Sequence, residues 1–255
     1  MFEQAFSQHT SLLHGLDPRV RLLAAACGAV VFSCLRNMPA AWVSLCFSLL
    51  LLIVANPPLR PLLKRVALVN FFILFLWLTV PLTMAGESLF SLGPLHFSES
   101  GLHLALLVTV KSNAILLLFI ALVAGISVPR IGNALERLRV PGKLVFLLLF
   151  TYRYVHAVGE EWDRLRTAAK LRGFIADNSL HTYRTIGNML GLVLINSFDR
   201  AQRVYEAMLL RGFNGTFHTV GELRTRRRDL LFALLFTFAL VLILGTDICL
   251  ERALP

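Results

Sequence analysis

The chain is short of charge. Asp, Glu, Lys and Arg make up 16% of its 255 residues, against roughly 25% in ordinary soluble domains. Hydrophobic residues make up 56%, and the mean hydropathy is +0.70. That composition excludes an ordinary water-soluble domain and predicts an integral membrane protein. Cysteine is scarce as well: Cys27, Cys34 and Cys46 lie inside apolar runs, Cys249 ends another, and no pair has metal-ligand spacing. This argues against a disulfide framework and reads all four as small apolar packing residues. The seven histidines, His9, His14, His96, His103, His156, His181 and His218, include no pair at i,i+3 or i,i+4, so no local metal site is expected. The sequence also lacks G-x-x-x-x-G-K-[ST], H-E-x-x-H and G-x-S-x-G. It therefore carries no phosphate loop for ATP and no recognisable hydrolytic centre. The nearest paired acids, Glu160-Glu161, are adjacent in a charged stretch and read as solvated.

Long apolar runs are what the chain has instead. A hydrocarbon core of about 30 Å takes roughly 20 apolar residues as a helix, and five runs approach that length: 20–36, 40–56, 66–85, 102–126 and 229–248. The first two are short enough to form a tight helical hairpin about Arg36-Asn37-Met38-Pro39. Two further runs, 144–150 and 189–195, soon meet charge and read as buried or interfacial stretches. The polar lead with Glu3, His14 and Asp17 is followed by no small-residue cleavage site, so the N-terminus is expected to be retained.

Basic residues set the expected orientation. Arg19 and Arg21 precede the first run, and Arg60, Lys64 and Arg65 lie between the second and third, whereas the loop 86–101 carries Glu87, Glu99 and no Lys or Arg. By the positive-inside rule that loop is outside and the N-terminus cytoplasmic. Residues 128–228 are then cytoplasmic, and the C-terminus after the last crossing is outside. This segment holds 17 Lys and Arg against 8 Asp and Glu, so +9 of the chain's +10 charge. Retention by the positive-inside rule and attraction to anionic headgroups account for that charge. Nucleic acid is not an expected partner, because no aromatic and basic stacking platform accompanies the charges. The expected architecture is an all-α membrane protein of about five transmembrane helices, divided into 1–127, 128–228 and 229–255.

Within 128–228 the pattern is helical throughout. Ser127-Val128-Pro129 is a plausible helix start; Ile131, Leu135 and Leu138 share a face, and Val140-Pro141-Gly142 stops it. Two long patterns follow, about 143–172 and 182–211, with Glu160 spaced to pair with Arg164 and Asp199 with Arg203. The second carries a stripe of Ile186, Met189, Leu190, Val193, Leu194, Ser197, Ala201, Val204 and Met208. Both patterns end alike. RLRTAAKLRGF (164–174) and RVYEAMLLRGF (203–213) share R-x-x-x-A-x-x-L-R-G-F. Leu-Arg-Gly-Phe suits a helix end, with a left-handed Gly and an apolar residue packing back. Capping explains Gly173 and Gly212 better than it explains the whole repeat. A rigidly held Arg172 or Arg211 also presents a planar fork to carboxylates or carbonyls of a partner.

These motifs resemble the energy-coupling factor transmembrane proteins (EcfT), in particular the CbiQ branch of cobalt importers. Asp17-Pro18-Arg19-Val20-Arg21 looks like that family's N-terminal signature, and 127–174 is similar to its coupling region. The family's two X-Arg-X motifs fall on Leu171-Arg172-Gly173 and Leu210-Arg211-Gly212, with Leu in place of the usual Ala. The resemblance implies a non-catalytic subunit whose two helix tips engage two cytoplasmic ABC-type ATPases. Those partners bind ATP and Mg, and a separate membrane subunit binds the substrate. Cobalt or nickel is implied by the CbiQ likeness alone, and a vitamin stays open.

Polar residues inside the expected spans are few: Asn70, Lys111 and Asn113, with Ser112 beside them. That is thin for a permease acting alone. An ionisable residue at this depth faces a protein interior or cavity, so Lys111 is expected to pack structurally, to touch the substrate-binding subunit or to line a path.

Overall fold

A computed structural model of the chain describes residues 15–83, 88–92, 95–213 and 227–253, with the backbone alone for 88–92, 95–97 and 250–253. The readings made of Glu3, His9, His14, Glu87 and His218 lie outside the described residues. The elements follow as α1 (Pro18–Cys34), α2 (Met38–Ala55), α3 (Leu59–Thr83), β1 (Ser88–Leu92), β2 (Leu95–Ser98), α4 (Glu99–Leu122), α5 (Val128–Arg137), α6 (Gly142–Leu171), α7 (Leu180–Leu210) and α8 (Arg227–Ala253). The fold is that of a helical membrane protein, with an antiparallel β1–β2 hairpin in the loop expected to be outside. The chain divides into two compact units, Met1–Ala134 with Glu222–Pro255, and Leu135–Gly221, the break falling inside α5.

Among the described residues α2, α3, α4 and α8 are long and apolar enough to cross a membrane. The run expected as the first crossing is α1. Its 17 residues reach about 26 Å, at the short end for a spanning helix. Arg60, Lys64 and Arg65, expected in a loop, form the first turns of α3, and Glu99 and Gly101 open α4.

In the first unit α4 is the central post, packed on α1, α2 and α3, while α8 packs on α1 and α2. The core joins Ala114, Leu118, Ala121 and Leu122 of α4 to Ala24, Ala25 and Phe32 of α1, Leu51 and Ala55 of α2, and Phe236, Leu240 and Ile243 of α8. Small residues recur because lipid is as apolar as a side chain, so close backbone approach supplies the gain. Ser44 and Ser48, both fully buried, satisfy their hydroxyls on the carbonyls of Ala41 and Ser44. Among the described glycines the closest approach to another backbone is at Gly101, where a Cβ would stand 2.8 Å from the Pro81 Cα. The cysteines take no part: Cys27, Cys34, Cys46 and Cys249 are all exposed. This corrects the packing role expected of them, which Ala, Gly and Ser fill.

Two carboxylates fasten α8. The Asp17 N–H donates to Asp229 Oδ1 at 2.9 Å where α1 and α8 begin. At the other end the N–H groups of Arg36 and Asn37 donate to the Asp247 carboxylate at 3.2 and 2.9 Å. The tight turn expected at 36–39 is thereby capped from α8, and α1 and α8 run parallel. Asp229 and Asp247 are 18 positions apart on one helix, about 27 Å, close to the thickness of a hydrocarbon core.

In the second unit the long helices match the expected patterns within two residues at each end. The apolar runs 144–150 and 189–195 are only partly buried, with Val145, Met189 and Val193 inward and Leu144, Leu147, Leu190, Leu194 and Ile195 exposed.

Candidate functional site

The repeated LRGF segments close α6 and α7 with one backbone design. In the first, the Phe174 N–H donates to the Ala169 carbonyl at 3.0 Å and the Gly173 N–H to Lys170 at 3.0 Å. In the second, the Phe213 N–H donates to Met208 at 3.1 Å and the Gly212 N–H to Leu209 at 2.9 Å. Each is a complete Schellman motif. Gly173 and Gly212 have φ of 81° and 79°, the left-handed region that a side chain disfavours. Arg172 and Arg211 are the C-cap residues, with φ/ψ of −87°/12° and −91°/11°. Both arginines are therefore launched from the same local frame.

What the two caps expose is also alike. Leu171 and Leu210 are 84% and 90% exposed, and Arg172 and Arg211 are exposed beside them. An apolar side chain in full contact with solvent next to a cation has no role in finishing a helix, since Gly and Phe accomplish that.

The helices carrying the tips are antiparallel. Midway, Glu161 accepts from Asn196 Nδ2 at 3.0 Å, pairs with Arg164 Nη2 at 3.0 Å and lies 3.7 Å from Arg200 Nη2. Near the start of α6, the Phe146 ring lies 6.2 Å from the Phe213 ring, and Phe146, Phe150 and Tyr154 follow one another in tilted contact, with ring centroids 4.6 and 5.0 Å apart. Arg211 thus stands beside the start of α6 and Arg172 at its end. The 26 residues from Phe146 to Arg172 separate them by about 40 Å. The tips are not brought together.

Two expected pairings change. Arg164 engages Glu161 at i,i+3, not Glu160, because Glu161 faces α7 and also meets Asn196 and Arg200. Asp199 and Arg203 form no ion pair within 4.0 Å among the described residues. On α7 the inward stripe is Ile186, Met189, Val193, Ser197, Val204 and Met208, while Leu190, Leu194 and Ala201 turn outward. The first tip borders a cleft of about 510 Å³ between the end of α6 and the start of α7, lined by Arg172, His181, Thr185 and Asn188 over Ala169 and Met189.

The intramembrane polar residues bind neighbouring helices. Lys111 Nζ donates to the Ser33 carbonyl at 3.3 Å, placing a cation on the unpaired carbonyl end of α1. Asn113 and Asn70 exchange reciprocal amide bonds at 3.1 Å between α4 and α3. One turn on, Trp77 Nε1 donates to Thr109 Oγ1 at 2.8 Å. Among the described residues no three His, Cys, Asp or Glu side chains gather to hold a metal ion. Sequence reasoning passed over Asp247 and the pairing role of Asp229; their signal was two carboxylates marking the two edges of one apolar run.

Comparison with known proteins gives the family. Residues 9–220 match the family model CbiQ, described as cobalt transport protein. The chain is similar to proteins named energy-coupling factor transporter transmembrane protein EcfT. That of Streptococcus equi subsp. equi is 28% identical over 91% of this chain and 89% of its own length. That of Streptococcus thermophilus is 28% identical over 94% and 93%, and that of Bacillus subtilis 24% over 88% and 86%. With the match covering most of its length, the chain belongs to the CbiQ family of cobalt transport proteins.

Proposed function

We propose that the chain is the membrane-embedded coupling subunit of an energy-coupling factor importer. Its place as a multi-pass membrane component of such a transporter rests on the family and on the relatives' shared description. The coupling role is carried by one observation, the duplicated tip: two exposed Leu-Arg pairs on superimposable caps, at opposite ends of an antiparallel helix pair. Two similar plugs held apart suit two similar grooves, and hence a pair of ABC-type ATPases that bind ATP and Mg. In this reading Arg172 and Arg211 make charge-assisted bonds in those grooves, Leu171 and Leu210 fill apolar hollows beside them, and Gly173 and Gly212 set the caps. The basic segment 128–228 and the N-terminus are cytoplasmic, and the C-terminus is outside.

Lys111 and Asn113 hold α4 to α1 and α3. Substrate recognition belongs to a partner membrane subunit, with cobalt or nickel as the cargo that the family's description favours. The test is co-expression with candidate ATPases and the substrate-binding subunit. The Arg172→Glu, Arg211→Glu double variant is expected to insert and fold normally, lose the copurifying ATPases and stop uptake. A double variant that still copurifies with ATPase and supports uptake overturns the assignment of the tips.

A further inference from the structure

The end of the bundle where α1 and α8 begin holds more positive charge than its neighbours neutralise. Arg21, at the end of the first turn of α1, is 3% exposed, and its Nε has no hydrogen-bond partner. Burial disfavours its charge first, and the guanidinium of Arg130 on α5 adds repulsion. Arg19, two residues back, forms an ion pair of 3.8 Å with Asp17 Oδ1 through Nε, too long for a hydrogen bond, and its Nε and Nη2 are also buried without hydrogen-bond partners. The two carboxylates nearby are already engaged on backbone: Asp17 Oδ1 accepts from the Arg19 N–H, and Asp229 Oδ1 from the Asp17 N–H. Asp17 Oδ2 is buried and unpartnered. Among the described residues, three guanidiniums stand at this end against two carboxylates, an excess of one positive charge.

A buried guanidinium without an anion is costly, by several kcal/mol in general. A structure that keeps one has a counter-charge to offer it. Exposure is graded from Arg130, which is exposed, through Arg19 to Arg21, so an anion has a way in from the surface. The site lies at the Asp229 end of α8, about 27 Å along that helix from Asp247, which is headgroup depth for a bilayer whose core is about 30 Å.

We propose that Arg19, Arg21 and Arg130 form a binding site for a phosphate-bearing anion. Arginine forks match phosphate oxygens bidentately, and Asp17 Oδ2 accepts a proton-bearing oxygen or water at the rim. A phospholipid headgroup and free phosphate share this chemistry, and the experiment separates them.

The full-length chain is placed in nanodiscs of phosphatidylcholine, with or without phosphatidylglycerol. Thermal unfolding is followed, and retained lipid is counted by native mass spectrometry. Phosphatidylglycerol is expected to raise the unfolding temperature and to remain bound. Inorganic phosphate at millimolar concentration in phosphatidylcholine alone reproduces the rise if free phosphate is the ligand, and leaves it absent if the headgroup is. Arg130→Gln, at an exposed position that does not endanger the fold, is expected to weaken retention roughly tenfold, the loss of one charge-assisted bond. Arg21→Gln is expected to abolish the anion response while leaving the chain as stable or more stable in phosphatidylcholine, because an uncompensated buried charge has gone. Overturning results are a wild-type unfolding temperature indifferent to both anions, as a site filled by water alone would give, or an unchanged anion response in both variants.

Discussion

The two units are held together in different ways. In the membrane unit, helices meet through Ala, Gly and Ser at close range, and α8 is fastened at both ends by carboxylates, Asp229 on the Asp17 N–H and Asp247 on the turn between α1 and α2. In the other unit the two longest helices, of 30 and 31 residues, bury little: Val145 in α6, and Thr182, Met189 and Val193 in α7. Their contact rests on a few points, the Phe146–Phe213 pair, Glu161 with Asn196 and Arg200, and the cleft at the first tip. A unit held by area resists displacement. One held at points shifts at small cost, which suits the relay role proposed for it, since moving elements are drawn from the less stable end of a structure. Its tips, by contrast, are locally rigid, each fixed by a Schellman cap.

The largest effect is expected where the difference is functional. Reversing charge at Arg172 and Arg211 should hardly move thermal unfolding of the isolated chain, since both side chains are exposed at the last turn of their helices. Truncating one partner of a buried charged pair at an interface costs about 2–5 kcal/mol, or roughly 30-fold to several thousand-fold in affinity. Pull-down of ATPase by single and double variants measures this directly. Equal loss from each single variant would show that the two tips work alike despite their different surroundings.

Next comes the fastening of the membrane unit. Asp247→Ala removes the acceptor for the Arg36 and Asn37 N–H groups and the anion at the start of α2. Hydrogen bonds to a charged group are worth about 1.5–3 kcal/mol, so an unfolding free energy lower by about 2–4 kcal/mol is expected in detergent. Asp247→Asn should fall between, since it keeps an acceptor but not the charge. Gly101→Ala is expected to cost about 1–3 kcal/mol, in the range of overpacking, because its Cβ meets the Pro81 backbone and not a movable side chain. Neither change alters the caps of α6 and α7, so ATPase binding by the surviving folded fraction should persist.

Much of this was legible in the sequence because it rests on local rules. The apolar runs, the ends of α6 and α7 and the paired caps follow from composition, a helical period and the requirement for Gly at positive φ. The partners across helices were not legible. Glu160 and Glu161 are equivalent in spacing to Arg164, and only the position of α7 selects Glu161. The cysteines look like packing residues by size, and helix rotation alone turns them outward. The Asp247 carboxylate satisfies backbone N–H groups more than two hundred residues away, a pairing that periodicity cannot register. Within the candidate site, sequence supplied the residues, and the structure supplied their separation at opposite ends of one helix pair.

The smallest effect sharpens the distinction between finishing a helix and serving a partner. Gly173→Ala and Gly212→Ala introduce a Cβ into open space, with nothing within 4 Å of either position, so the whole cost is conformational, about 1–2 kcal/mol for a left-handed residue. It falls on the last turn, where fraying is cheap, so global unfolding should hardly move. Amide exchange at the Phe174 and Phe213 N–H groups should accelerate instead, as their bonds to Ala169 and Met208 open. The two variants should also differ from each other. Gly212 places Phe213 against Phe146, one of the few contacts that hold α7 to α6, whereas Gly173 borders only the cleft. Gly212→Ala is therefore expected to loosen exchange along the start of α6 as well as at its own tip. If both glycine variants release only their own caps, the aromatic contact adds nothing to the pairing of the two helices, and Glu161 with its partners holds them alone.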